Sequence, residues 1–453
     1  MSPAVSILFF ALGVTGLLFV ALRVVAHVRA RELDSNYILI GTAVMLANGT
    51  AVVSQFSGGR TLVLSGVDSY VAVLSPAAEQ FSKFTLPVMF VVVLGYVVAQ
   101  YRRGVAINGL AATYLMLLVF SSMGSVLGGG NFITTARLTL LLPVVALLLG
   151  RPSAGAIKGA AVALATLLCL SGVLALVSPD QASAVCDARK CGVFGSLFNG
   201  VAFNFNGFGL LMALAIPVMY FGLDKFREYF TGFALIAVFA TGSRTAQLAS
   251  AIVVVLLYLN RLLGRQNHAL RLFLPSAVCG ASALFIVMLP FMKLDPGEFT
   301  GRVGLWDLAL SQMRGSWLFG LGPDSWAAQV DDGAISYVSA YSTHNQLIEI
   351  LYVSGIVGLC LYIVLITGLI VRMREALVPL LSILAPALVI GSTERPWTLG
   401  IADWLSWSIL LLLVIKVDDA NTENGKQIDA TASSTFKQQR RVSPSGMSME
   451  PAK

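Results

Sequence analysis

Charge is what this chain has least of. Asp, Glu, Lys and Arg make up 12% of its 453 residues and 57% are hydrophobic, whereas a soluble domain carries roughly 25% charged residues. That balance excludes a soluble enzyme. The short apolar–polar alternation of a membrane β-barrel is also missing, because runs such as Ile252 to Leu259 are apolar on every face. Histidine is nearly absent, with only His27, His268 and His344. Of the five cysteines, Cys169, Cys279 and Cys360 fall inside apolar runs and read as small packing residues. Cys186 and Cys191, in CDARKC, share a loop that an oxidising compartment would close with a local disulfide; a zinc site there would need further ligands and has no His nearby. No metal site and no cofactor is indicated. No internal repeat is visible, which counts against transporters built from inverted repeats. No basic residue precedes the first apolar run, so it lacks the leading region of a cleavable signal peptide and is expected to remain as a helix.

What is present is a succession of apolar runs of membrane-spanning length, and the fold class they imply is an all-α, polytopic transmembrane helical bundle. Thirteen spans are expected, with one or two in doubt at the ends: 4–26, 36–54, 84–100, 105–121, 132–149, 158–178, 207–222, 229–241, 245–260, 272–292, 345–371, 376–391 and 400–416. The short connections with Arg29 and Arg31, Arg102 and Arg103, Arg151 and Lys158, Lys225 and Arg227, Arg261, Arg265 and Arg271, and Arg372 and Arg374 all fall on one face. By the positive-inside rule that face is cytoplasmic, with the N-terminus outside and the C-terminus inside. The net +7 then divides into +10 on the cytoplasmic side, −3 on the outer side and zero in the tail. It is an orientation signal and implies no nucleic-acid partner. The membrane domain is 1–416, its long outer connections are 55–83, 179–206 and 293–344, and 417–453 reads as a disordered cytoplasmic tail.

Chemistry concentrates on the outer face. The stretch YSTHNQLIEILYVSGIVGLCLY, Tyr341 to Tyr362, leaves the longest loop and enters the eleventh span. Thr343 and Gln346 form a capping-box pattern, which would put His344 in the first helical turn, where the positive end of the helix dipole keeps an imidazole neutral and able to accept a proton. The bland alternative is an interfacial His that only bonds to a loop. Arg244, in TGSRT, follows an eighth span of ~20 Å if that span is only 229–241, too short for a hydrocarbon core of about 30 Å. The turn would then be recessed and its guanidinium would face a cavity or an anion; if the helix begins near Phe226, Arg244 simply reaches water. The loop FTGRVGLWDLALSQMRGSWLFGLGPDSW offers Arg302 and Arg314, and its residues 303–313 suit a short interfacial helix. All six Trp lie at or after Trp306, which reads mostly as anchoring at the headgroup level, with stacking on sugar as the sharper alternative.

Taken together, GSR opening one span, TGRVGLW and LFGLGPDSW in the long outer loop, and HNQLIEILYVSGIVGLCLYI entering the next span resemble the O-antigen ligase and polymerase superfamily of bacterial membrane glycosyltransferases, over about 229–371. The resemblance implies a multi-pass protein of the cytoplasmic (inner) membrane whose active site faces the periplasm or cell exterior. It implies a donor glycan linked to undecaprenyl diphosphate, a glycan or lipid acceptor, and other polysaccharide-assembly proteins as partners, without nucleotide sugar or metal. Carried over residue by residue, it gives Arg244 and Arg302 to the diphosphate and His344 to the acceptor hydroxyl, with Asn345, Glu349 and Arg314 in support. The thirteen spans exceed the twelve or so of the family. Nothing in the sequence separates a ligase from an O-antigen or exopolysaccharide polymerase, although the absence of a recognisable ligase feature leans toward polymerisation. A flippase or transporter of lipid-linked glycan is the alternative of a different class; it would place charge near the bilayer midplane. A carrier-dependent transferase of another fold would show acidic motifs in the first outer loop, where only Asp68 and Glu79 occur.

Overall fold

The computed structural model describes residues 1–30, 33–59, 61–64, 70–127, 134–186, 190–263, 267–295, 298–326, 328, 343–400 and 403–417. The expected tail beyond Val417, Arg31, Arg265 and loop residues 329–342 lie outside the described residues. The rest is a helical bundle: α1 (Pro3–Arg29), α2 (Ser35–Phe56), α3 (Pro76–Arg103), α4 (Gly109–Leu127), α5 (Thr135–Leu147), α6 (Ala154–Val177), a single turn α7 (Pro179–Ala182), α8 (Phe205–Gly222), α9 (Arg227–Thr241), α10 (Arg244–Leu262), α11 (His268–Met288), α12 (Glu298–Gln312), α13 (Gln346–Arg372), α14 (Leu377–Gly391) and α15 (Trp407–Val414). Strand is confined to two small antiparallel pairs, Thr61–Leu64 with Tyr70–Val73 and Ser183–Ala184 with Leu197–Phe198.

Among the described residues ten helices are long and apolar enough to cross a membrane, fewer than the thirteen expected spans. The other three sites are helical but short. α5 and α9 run ~20 and ~22 Å at about 1.5 Å per residue, and α15 only ~12 Å. The thirteenth span was expected from 400; instead Asp403 holds a polar turn by accepting from the Leu405 N–H and the Ser406 hydroxyl, and helix begins only at Trp407. α9 begins at Arg227, next to Phe226, and Gly242 ends it in the left-handed conformation.

α6 and α8 form the buried centre, and α3 is the most exposed of the long helices. α1 crosses α6 through paired glycines: a Cβ on Gly13 would sit 2.6 Å from the Cys169 carbonyl, and one on Gly172 would strike the Phe9 carbonyl. Small residues let these backbones approach, which is how apolar helices associate without a hydrophobic driving force between them. At one end of the bundle, Asn36 donates to the Arg151 carbonyl, Asn108 to Leu413, and Arg372 to Leu412 and Leu413. The candidate site is at the opposite end.

α13 is broken at Gly355 (φ 63°). The carbonyls of Tyr352 and Val353 lose their helical donors there, and the N–H groups of Leu321 and Gly322 replace them at 2.7 and 3.1 Å. The freed N–H groups of Ile356 and Val357 donate to the Trp317 and Leu318 carbonyls at 2.8 and 3.2 Å. The LFGLG segment is thus laid along the break, and these four backbone groups of α13 find partners there, as a low-dielectric setting demands. Asp324, just beyond, pairs with Arg137 of α5, whose side chain is 1% exposed and also donates to the Ser125 hydroxyl.

The tryptophans are mostly core residues, contrary to the anchoring expected of them. Trp306, Trp326, Trp397 and Trp407 are buried, because Trp326 packs edge-on against Tyr352 and Trp397 donates to the Ser408 hydroxyl. Trp317 is exposed. Cys360 is exposed as well, unlike the buried Cys169 and Cys279.

Candidate active site

Asn345, and not Thr343, is the N-cap of α13. Its side-chain oxygen accepts from the N–H groups of Leu347 and Ile348, while its amide donates to the carbonyls of Ile286 and Ser392. Gln346 brackets Trp397, accepting from its N–H and donating to its carbonyl. The expected capping box is therefore replaced, because both of its neighbours in sequence are spent on docking the segment Ser392–Trp397. His344 lies outside the helix, at φ 50°. A non-glycine residue in that left-handed region is strained, and such strain gathers where a side chain must be aimed.

Docking that segment delivers Glu394. Its two carboxylate oxygens take different partners: Nδ1 of His344 at 2.8 Å and the guanidinium of Arg302. Arg302 reaches it from the irregular first turn of α12. There Gly301 stands at φ 83° with open space around it, so conformation and not crowding is what calls for glycine. Burial pushes the Glu394 carboxyl up, but the hydrogen bond and charge of His344, then the charges of Arg302 and Lys190, outweigh it and hold the group below the usual carboxylate range. Beside this triad runs a second one. Arg395 donates to Glu349 at 2.7 Å, and Glu349 also accepts from the Thr343 hydroxyl at 3.0 Å. Burial would lower the Arg395 pKa, yet Glu349, Asp403 and Glu394 hold it above its ordinary value.

Arg244 is exposed at the start of α10, and its neighbour Thr245 bonds Thr393 at 3.1 Å, one residue from Glu394. Cys186 and Cys191 are joined in a disulfide, and the carbonyl carbon of Cys191 lies 3.0 Å from where a Cβ on Gly242 would be. That packing brings Lys190 close enough to act on Glu394. Of the residues singled out in the sequence, the structure thus gathers His344, Asn345, Glu349 and Arg302 around one segment, with Arg244 at its edge. Arg314 is exposed in the turn after α12 and takes no part in the network. Glu394, Arg395 and Lys190 escaped the sequence reading. The signal that could have found the first two was an acid–base pair in STERPW, stranded between two apolar runs.

A carboxylate on Nδ1 fixes that nitrogen as the one bearing hydrogen, which leaves Nε2 with the lone pair. The arrangement can take a proton from an alcohol and stabilise the imidazolium that results, within a field of arginines suited to an anionic leaving group. Among the described residues no group of three or more His, Cys, Asp or Glu is placed to hold a metal ion. Residues 229–363 match the family model described as O-antigen ligase. No curated protein and no solved structure matches the chain. The match covers α9 to most of α13 and supports the O-antigen ligase and polymerase superfamily, in general terms a membrane glycosyltransferase.

Proposed function

From the match of residues 229–363 to the O-antigen ligase family model and the ten helices long and apolar enough to cross a membrane, we propose that the chain transfers or polymerises saccharide units carried on undecaprenyl diphosphate at the outer face of the cytoplasmic membrane. The observation that carries this reading is the His344–Glu394–Arg302 triad at one end of the bundle. The positive-inside rule makes the end with Arg151 and Arg372 cytoplasmic, so the triad faces the periplasm or cell exterior and the C-terminus faces the cytoplasm.

In the reaction, the acceptor hydroxyl oxygen bonds to the anomeric carbon of the donor. The bond from that carbon to the diphosphate oxygen breaks, and undecaprenyl diphosphate leaves with the electron pair. The hydroxyl proton passes to Nε2 of His344, while Glu394 orients the ring and steadies its positive charge. Arg302 gives one nitrogen to Glu394, and its remaining donors, with Arg244, meet the charge developing on the diphosphate. Guanidiniums supply the cationic role that a metal ion fills elsewhere, so the proposed chemistry is metal-independent and needs no cofactor.

His344→Ala should lower transfer by about 10²–10⁴-fold, the usual share of a positioned base, with membrane level unchanged and the melting temperature lowered only by the loss of the His344–Glu394 pair. A near-normal glycan profile in cells carrying that variant would remove the base role. The saccharide profile of a deletion strain separates the two branches: accumulated single repeat units indicate a polymerase, and carrier-linked polymer beside an unmodified lipid acceptor indicates a ligase.

A further inference from the structure

At the same end of the bundle as the triad lies a cavity of about 880 Å³, at the upper end of the range of small-molecule sites, roughly 300–1,000 Å³. It is walled by the outer half of α2, the first turns of α3, the entry to α8, and Asp403 with Trp404. None of these belongs to residues 229–363. Its lining is mixed, with hydroxyls and amides set among Leu46, Leu86, Pro87 and Phe203. On α3, Ser82 and Thr85 line the cavity while Phe84, Val88 and Val91 are exposed on the bundle surface, so the helix turns its hydroxyls inward. Asn48, Thr50 and Asn204 add amides and a hydroxyl from the facing walls. Most of them are anchored within the protein: the Ser82 and Thr85 hydroxyls donate to the Glu79 and Phe81 carbonyls, Asn48 donates to the Val44 and Trp404 carbonyls, and Asn204 accepts from the Gly207 N–H, which leaves their remaining lone pairs and N–H groups for water or a ligand.

The chemistry is that of a neutral, hydroxyl-rich ligand. The two charged residues in the wall are already engaged: Lys83 with Glu79, and Asp403 with the Thr398 and Ser406 hydroxyls and the Leu405 N–H. Among the described residues no arginine lines the cavity. Trp404 contributes a flat indole, half-buried, whose carbonyl is pinned by Asn48 at 3.3 Å. An aromatic face beside amides and hydroxyls pairs the apolar side of a sugar ring with its polar edge. The cavity is also wired to the triad. From Trp404 the chain runs back through Asp403, whose charge acts on Arg395, to Glu394.

We propose that this cavity binds an uncharged saccharide stretch of the acceptor glycan, so that segments flanking the matched domain, α2, α3, the entry to α8 and Asp403–Trp404, select the acceptor while the matched domain performs transfer. This rests on the glycosyltransferase reading above. The test uses the full chain in lipid nanodiscs and, as probe, the producing cell's own repeat-unit oligosaccharide freed from its lipid diphosphate by mild acid. Direct binding is compared for wild type, Ala51→Phe, which fills the cavity from α2, Trp404→Ala, which removes the indole, and His344→Ala. Wild type and His344→Ala should bind alike, and both cavity variants should bind at least ten-fold more weakly with unchanged melting temperature. Equal binding by all four proteins overturns the proposal, as does no binding by wild type or a phospholipid retained in the cavity in its place. If Ala51→Phe unfolds, Trp404→Ala alone decides. An active His344→Ala with normal cavity effects would instead sink the transfer mechanism and leave the saccharide site standing.

Discussion

The two halves of α13 use glycosyltransferase-like motifs for different purposes. At its N-terminus, from His344 just outside the helix to Glu349 in the first turn, side chains do the work: amides dock a loop, and carboxylates and guanidiniums pair in two parallel triads. At the break around Gly355 the two segments Trp317–Gly322 and Tyr352–Val357 are joined by four backbone hydrogen bonds. The HN pair at the entry to α13 and the SGIVG segment within it lie about ten residues apart. In the proposed mechanism one is chemistry and the other is architecture, and nothing in their spelling says which is which.

Substitution should pull these two regions apart. His344→Ala, as above, is expected to cost two to four orders of magnitude in transfer while the fold stays intact. Gly355→Ala should do the reverse. A Cβ there would run into the Leu318 carbonyl at a positive φ, adding about 1–3 kcal/mol of strain and about 1–3 kcal/mol of overpacking. The variant should melt several degrees lower in detergent, with activity per folded molecule little changed. If Gly355→Ala melts like wild type but is inactive, the break belongs to the site and the contrast fails.

Arg302→Lys gives a smaller effect that sharpens the site side. Charge is kept, but Lys cannot hold Glu394 and a diphosphate oxygen at once with a planar fork, so transfer should fall by about ten-fold, one unit of ~1.4 kcal/mol. A fully active Lys variant would mean that only charge matters there. The smallest effect is with pH. Because the Glu394 pKa is depressed in the folded chain, its contribution to stability is complete above the unfolded carboxylate value and is lost as pH falls through the lower folded value. The melting-temperature gap between wild type and Glu394→Gln should therefore hold through mildly acidic pH and close only below the ordinary carboxylate range. A gap that closes near neutrality would assign it to another group.

The membrane bundle was legible in the sequence because long apolar runs leave few alternatives; His344 stood out as one of three histidines, and Arg302 as a basic residue on the predicted outer face. Three things were not. The short helices α5, α9 and α15 read as spans because hydropathy records apolarity but not where a Gly242 or an Asp403 turn ends the helix. The tryptophans read as anchors because burial depends on neighbours such as Tyr352 and Ser408, which sequence distance hides. Glu394 was hidden for the same reason: it is fifty positions from His344 and beyond the matched residues 229–363. Asn345 and Gln346, which deliver it, look like ordinary capping residues until their partners at Ser392 and Trp397 are seen.

The central claim is that His344 and Glu394 act as one device. A double-mutant cycle on kcat for glycan transfer, with purified chain in nanodiscs and undecaprenyl diphosphate-linked donor, tests it most directly. Groups that act as a unit lose activity non-additively. The account predicts that Glu394→Gln alone lowers kcat by at least ten-fold, and that adding it to His344→Ala lowers kcat no further. Losses that multiply in the double variant, or a Glu394→Gln enzyme with wild-type kcat, would contradict it.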